Sequence, residues 1–371
     1  MGDFKAVQAG GEDWAHVAQA CVEALEPLPE DANIGFLYVT DLLAADMPSV
    51  LTYLRQRTGI VHWVGGVGAS ICGINGEIAD MPAASAMVAA LPEDSFQVLH
   101  SCENDLMEID DSTWEWIADT APPFGILHGD PDNPKVIDLI EGLAEKSGAF
   151  VVGGLMSSRT ESVQVADRIM GGGLTGVLFS DRVPVATGVS QGCRAIGETH
   201  LVSDALESVL VGLDGEKALD VLTRETGAST REELQNLAGR LHVALLVEGS
   251  DMGDFMVRNL MAIDQNRGWI GIGGEVPPGA HIQFVERDPI SAEIDLREMA
   301  ERMKNRLDAK PKGGVYVSCV ARGANMFGKA GHELNILKSV LGDFPLVGFH
   351  SAGEISNSRL YGYTGVLTLF T

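Results

Sequence analysis

The residue types best suited to chemistry crowd into the last fifth of the chain. An apolar run, Val315-Tyr316-Val317, breaks into Ser318-Cys319-Val320-Ala321-Arg322-Gly323, and a second ends in His350-Ser351-Ala352-Gly353-Glu354-Ile355. A thiol, a guanidinium, an imidazole, a hydroxyl and a carboxylate thus sit at strand ends or in tight turns, where a scaffold can aim them at a small molecule. Arg322 at a strand end is suited to clamp a carboxylate with two parallel hydrogen bonds, which lysine cannot reproduce. Glu354, flanked by small residues that admit a close backbone, is suited to accept from an ammonium group. An Arg/Glu pair facing one cavity would hold a zwitterion such as an amino acid. The competing reading is structural: Arg322 pairs with Glu354 or Glu333, and Glu354 satisfies its own turn. Cys319, His350 and Ser351 complete the candidate ligand-binding set. A Cys319–His350 pair would permit nucleophilic chemistry, but no orienting third residue or oxyanion motif accompanies it, so no catalytic residue is assigned.

Composition narrows the field. The 371 residues carry 26 Lys+Arg against 52 Asp+Glu, a formal charge of −26. That field repels phosphate backbones and anionic lipid, so neither nucleic acid nor a membrane surface is an expected partner. No apolar run approaches the roughly 20 residues a bilayer crossing needs, and the N-terminus lacks the cationic start and apolar core of a signal peptide. Five scattered cysteines form neither a zinc motif nor a disulfide framework. A cytoplasmic protein with reduced thiols and no bound metal is expected.

One unit recurs along the chain: a strand, a helix, a strand ending in glycines, and a further strand. It runs from Ile34–Val39 through a helix near Met47–Arg57 to His62–Gly66 and Ala83–Leu91. It returns at Phe124–His128, Pro134–Ser147, Ala149–Gly154 and Gly173–Ser180, and again in the C-terminal block. Apolar positions at three- and four-residue spacing, such as Val136, Leu139, Ile140 and Leu143, predict the helices. Continuous β-branched runs such as Phe150-Val151-Val152 predict strands covered on both faces. A shorter version is read over Leu241–Val247, a helix around Phe255–Met261, Gly268–Gly273 and His281–Glu286. These units predict an α/β protein of two related halves, layered α/β/β/α with sheets packed on each other. The boundaries expected are 1–202, a helical bridge over 203–239, and 240–371. Within the bridge, Ser229-Thr230-Arg231-Glu232-Glu233-Leu234 offers a capping-box pattern, with a Glu three residues after a hydroxyl cap, and Asp110-Asp111-Ser112 before Trp114-Glu115-Trp116 reads as a capped helix start. The glycine clusters Gly171–Gly173 and Gly271–Gly274 lack a P-loop ending or a dinucleotide spacing and read as turns.

The sequence resembles FIST-domain proteins, which join a FIST N and a FIST C domain. The C-terminal resemblance lies in Ala262-Ile263-Asp264, Ile282–Asp288, Ser318–Gly323, Phe327-Gly328, Gly348–Ile355 and Tyr363–Leu367. The N-terminal one lies in Gly153-Gly154, Gly172–Gly176, Gln191–Gly197 and Leu213-Asp214-Gly215. It implies a stand-alone small-ligand-binding sensory module acting beside bacterial signalling enzymes such as a histidine kinase or a cyclic-nucleotide enzyme, with amino acids or related metabolites as ligands. Some relatives bind haem and sense nitric oxide, which makes haem the alternative cofactor and His62, His128, His281 and His350 its candidate ligands. One departure stands out. The N-terminal turn reads Gly65-Gly66-Val67-Gly68-Ala69-Ser70, with Gly76-Glu77-Ile78 displaced downstream, so the C-terminal turn is the better candidate site.

Overall fold

The computed structural model describes residues 2–228, 230, 232–234, 239–246 and 255–371. The chain divides into two compact units, Met1–Gln191 with Asp295–Thr371, and Gly192–Ile294.

The larger unit is α/β and contains the recurring element three times. In the first repeat, Ile34–Thr40 runs parallel to His62–Gly68 and antiparallel to Ala83–Ala89, with the edge strand Phe4–Gly10 on the latter. The second repeats this with Phe124–Gly129, Phe150–Leu155, Leu174–Phe179 and Phe96–Cys102. The third uses Gly313–Cys319, Leu346–Ser351, Gly365–Phe370 and Val185–Ser190. Crossover helices Met47–Thr58, Val136–Ser147 and His332–Leu341 join the parallel strands, as a parallel pair requires.

The three sheets are stitched into a ring by exchanged hairpins. After its second strand, each repeat sends a short hairpin into a neighbour's sheet. Ser70–Gly73 pairs with Leu346–Ser351, Gln164–Ala166 with His62–Gly68, and Gly353–Ser356 with Phe150–Leu155. Each sheet therefore has six strands, two of them from another repeat.

Strand alternation explains the layering. Ile34, Phe36 and Tyr38 face inward with Phe124, Ile126, Val315 and Val317, in one core shared by all three sheets. Leu37 and Val39 face outward onto helices Trp14–Leu25 and Met47–Thr58. The other two sheets are covered likewise, one by Asp111–Thr120 and Val136–Ser147, the other by His332–Leu341 and, from Leu296 on, Pro289–Arg306. The expected α/β/β/α stack of two halves is replaced by three sheets around one core. Glycine fixes the crossing at Gly153, where φ is 141° and a Cβ would stand 1.9 Å from the Leu127 carbonyl oxygen. Gly65 meets Leu37 in the same way.

The smaller unit is an insertion between the first strand and first helix of the third repeat. It is an antiparallel barrel: Cys193–Leu206, His281–Arg287, Leu241–Leu246, Phe255–Asp264, Trp269–Ile272 and Val209–Leu213 pair in that order, and the last returns to the first. Register shifts at Ile196/Thr199 and Leu260/Ala262 bend the two long strands through the corners. Helix Ala218–Thr226 supplies Ala218, Leu219, Val221 and Leu222 to the barrel core.

Two expectations are corrected by the barrel. Phe255–Met261 is strand, because its apolar residues satisfy a period of two once Leu241–Leu246 is available to pair with it. The described residues of 203–239, read as a helical bridge, hold a strand end and the hairpin strands Val209–Leu213 and Glu216–Lys217 as well as helix Ala218–Thr226. The expected boundaries, 1–202 and 240–371, therefore cut across a unit that spans 192–294. Thr230 and Glu233 do form a reciprocal capping box: the Thr230 amide donates to the Glu233 carboxylate at 2.9 Å, and the Glu233 amide to Thr230 Oγ1 at 3.2 Å.

Candidate functional site

The C-terminal ends of the parallel strands Gly313–Cys319 and Leu346–Ser351 hold a buried polar cluster containing every sequence-predicted site residue. Strand ends of this kind are where open α/β sheets carry their ligands. Arg322, however, is not free to clamp one. It is fully buried; its Nε donates to Glu333 Oε1 at 2.7 Å, Nη1 to the carbonyls of Ser190 and Tyr363 at 3.3 Å each, and Nη2 to Ser190 Oγ at 3.3 Å. The structural alternative read from the sequence is the one the fold adopts, with Glu333 as partner.

Glu333 is the hub. Besides Arg322, it accepts from Tyr316 Oη at 2.8 Å, Ser318 Oγ at 2.9 Å and the Gly323 amide at 3.1 Å. Burial alone would raise its carboxyl pKa; the guanidinium beside it outweighs that and holds the group below the ordinary carboxylate value.

Glu354 is also fully buried, but it answers to different groups. Its carboxyl takes the Ser351 hydroxyl and the Thr364 amide, the latter at 3.1 Å, and Cys319 contributes a side-chain hydrogen bond. Burial dominates and pushes it up to about 8, so the group is mainly protonated at neutral pH. Arg322 and Glu354 thus do not form the two ends of a clamp for one zwitterion. Cys319 turns to Glu354, and along the parallel pair it lies level with Ser351 while His350 lies level with Ser318.

His350 is the unusual member. Its Nδ1 meets Ser70 Oγ at 2.7 Å, with Cys72 Sγ at 3.7 Å, both from the hairpin donated by the first repeat. Its Nε2 is buried without a hydrogen-bond partner and lies 4.0 Å from Glu333 Oε2. Beside it runs Gly323, at φ 53°, where a Cβ would stand 2.6 Å from Nε2 and 3.0 Å from the Glu77 carboxylate oxygens. Only glycine lets the backbone pass here. Glu77 is half-buried and accepts the Gly331 amide at 3.1 Å.

Glu77 is a functional candidate that sequence reasoning did not place in the site, and Glu333 was read there only as a structural partner for Arg322. Glu333 had a faint signal, an acid in the first turn of the helix after Arg322. Glu77 sits in the displaced Gly76-Glu77-Ile78, and only the exchanged hairpin brings it to the third repeat, 254 residues from Gly331.

The four histidines read as haem candidates occupy different settings. His128 lies in the central core, but its Nε2 meets Tyr38 Oη at 2.9 Å and its ring packs near Phe349. His62 bonds Asp167, His281 is exposed, and His350 faces carboxylates. Among the described residues, no group of three His, Cys, Asp or Glu is arranged to hold a metal, and no helix is long and apolar enough to cross a membrane.

A ring of three βαβ-type repeats with a buried polar cluster at its strand ends, interrupted in sequence by a barrel, defines an α/β protein of two compact units. The FIST N domain model matches residues 33–216 and the FIST C domain model residues 218–357, and the chain belongs to the FIST family. FIST domains are small-ligand-binding sensory domains. The junction of the two matched segments falls inside the barrel. The chain is similar to an uncharacterized protein of Mycobacterium tuberculosis H37Rv, 36% identical over 265 residues, which cover 68% of this chain and 69% of that protein. An uncharacterized protein of Mycobacterium bovis is 33% identical over 238 residues, 60% of this chain and 61% of its own length.

Proposed function

We propose that this chain is a sensor of an amino acid or related small polar metabolite, and that it grips the ligand by its ammonium group at the His350 cluster. One observation carries the reading: a buried imidazole nitrogen without a protein partner faces two carboxylates. With the proton on Nδ1, donated to Ser70, the His350 Nε2 is an acceptor. An ammonium carries three N–H donors; His350 Nε2 and the two Glu77 carboxylate oxygens offer three acceptors around Gly323, and the Glu333 carboxylate adds its charge beside them. The 4.0 Å between Nε2 and Glu333 is too long for a hydrogen bond but suits two acceptors sharing one donor nitrogen. Half-buried Glu77 supplies the approach from solvent and a charge not already neutralised by Arg322. Ser351, Glu354 and Cys319 form a second hydrogen-bonded layer behind the strand end, and Arg322 positions Glu333. A change in this cluster reaches the first repeat through Ser70 and Cys72, which gives ligand binding a route to a signalling partner such as a histidine kinase or a cyclic-nucleotide enzyme.

Isothermal titration with a panel of L-amino acids, each matched to its deaminated acid, tests the reading. Saturable heat for at least one amino acid, absent with its deaminated counterpart and lost in Glu77→Gln, is the expected result. Equal binding of both members of every pair, or no saturable binding across the panel, contradicts it.

A further inference from the structure

Within residues 192–294, Arg258 is a cation that pairs with no acid among the described residues. Arg258 lies on strand Phe255–Asp264, directly opposite Val243 of Leu241–Leu246. Val243 in turn faces Phe284, and both belong to the barrel core with Leu245 and Ile282. Opposed residues share a face of the sheet, so Arg258 is on the inward face, between Met256 and Leu260, which pack on that core.

Gly274 makes room for it. Leu260 pairs with Ile272, so Arg258 comes level with the Gly273-Gly274 turn. There a Cβ at Gly274, φ 145°, would stand 2.8 Å from Arg258 Nε. The guanidinium is half-buried, and loss of hydration depresses its pKa from the ordinary arginine value. Its protein contacts are weak: Nη1 reaches the Val257 carbonyl at 3.4 Å and Nη2 the Met256 sulfur at 3.6 Å. No carboxylate among the described residues pairs with it. The contrast within the same unit is sharp, since Arg194 and Arg240 both hold Glu286 and Arg224 holds Glu216.

A partly desolvated guanidinium with no counter-charge among the described residues is costly, and it occurs in a chain with twice as many acids as bases. We propose that Arg258 and the Gly273-Gly274 turn form an oxyanion site in the barrel, which takes a small carboxylate or phosphate group through the planar fork of the guanidinium. Glycines let such a group approach the backbone next to the fork. The site is independent of the His350 cluster and stands or falls separately from it.

The test is calorimetric titration of the full chain, in low-salt buffer, with succinate and separately with inorganic phosphate. Arg258→Gln is expected to weaken the preferred probe about tenfold or more, while Arg258→Lys, which keeps the charge and loses the fork, weakens it less. The stronger of the two probes identifies the anion class. Failure of both probes to saturate at millimolar concentration, or equal affinity in wild type and Arg258→Gln, overturns the proposal. Should Arg258→Gln fail to fold, the Arg258 Nε–Hε NMR signal of the wild type decides. Its movement on titration supports the site, and a signal indifferent to both probes removes it.

Discussion

Arg322→Met separates a structural guanidinium from a ligand-clamping one. In the fold, Arg322 is the only counter-charge bonded to Glu333 among the described residues, and it ties the end of strand Val185–Ser190 to the third repeat through Ser190 and the Tyr363 carbonyl. Methionine preserves much of the volume but leaves a buried carboxylate with only Tyr316, Ser318 and the Gly323 amide. Breaking one side of such a pair costs about 3–5 kcal/mol, and the orphaned Ser190 and Tyr363 carbonyls keep the loss at the upper end. Adding Glu333→Gln removes the stranded charge, so the double variant should recover about 2 kcal/mol of the deficit by this coupling. The assay is urea denaturation, followed by a probe in the larger unit because two compact units need not unfold together. The pH dependence has a definite sign. In wild type the Glu333 pKa is depressed, so its contribution is present above the unfolded carboxylate value and fades as pH falls through the lower folded one. In Arg322→Met burial acts unopposed, the folded pKa rises, and lowering the pH from 7 to 5 should narrow the gap between variant and wild type. A variant as stable as wild type, impaired only in ligand binding, would refute the structural assignment.

Other outcomes follow from single residues. Glu354 has a folded pKa raised to about 8, so its favourable contribution holds below the unfolded carboxylate pKa and is lost as pH rises through 8; Glu354→Gln should make thermal stability less sensitive between pH 6 and 9. His128 is a base driven down to about 3 by burial, so stability should fall as pH drops below its unfolded value near 6.5, and His128→Gln should flatten that acid limb in a melting-temperature series. Gly153→Ala, whose Cβ would collide with the Leu127 carbonyl, should cost more than about 4 kcal/mol. Gly148→Ala, at φ 71° with open space around it, should cost only about 1–2 kcal/mol in the same chemical denaturation assay.

Much of the larger unit was legible because its repeats are locally encoded. Continuous apolar strands, helices such as Val136–Ser147 with one apolar face, and glycines at the crossings recur in the same order three times. What the chain order concealed was who pairs with whom. Val185–Ser190 belongs with Gly365–Phe370 across the inserted barrel, and no local pattern announces a partner so far away. The strand Phe255–Asp264 was misread for a related reason: its dense apolar residues fit either period, and only the neighbouring strands decide. At the site, the residues read from strand-end position, Cys319, Arg322, His350, Ser351 and Glu354, lie at neighbouring strand ends in the fold. Which acid each donor meets depends on helix and hairpin placement, so the choice of Glu333 over Glu354 for Arg322, and the presence of Glu77, emerged only from the fold.

The central claim is that His350, Glu333 and Glu77 receive an ammonium group. The most direct test is the 15N chemical shift of His350 Nε2 as an amino acid that binds in calorimetry is titrated in. The account requires the signal of a bare acceptor nitrogen that moves on saturation, with the movement abolished in Glu77→Gln. A protonated Nε2 in the free protein, or a shift that ignores a ligand bound at full occupancy, would contradict it.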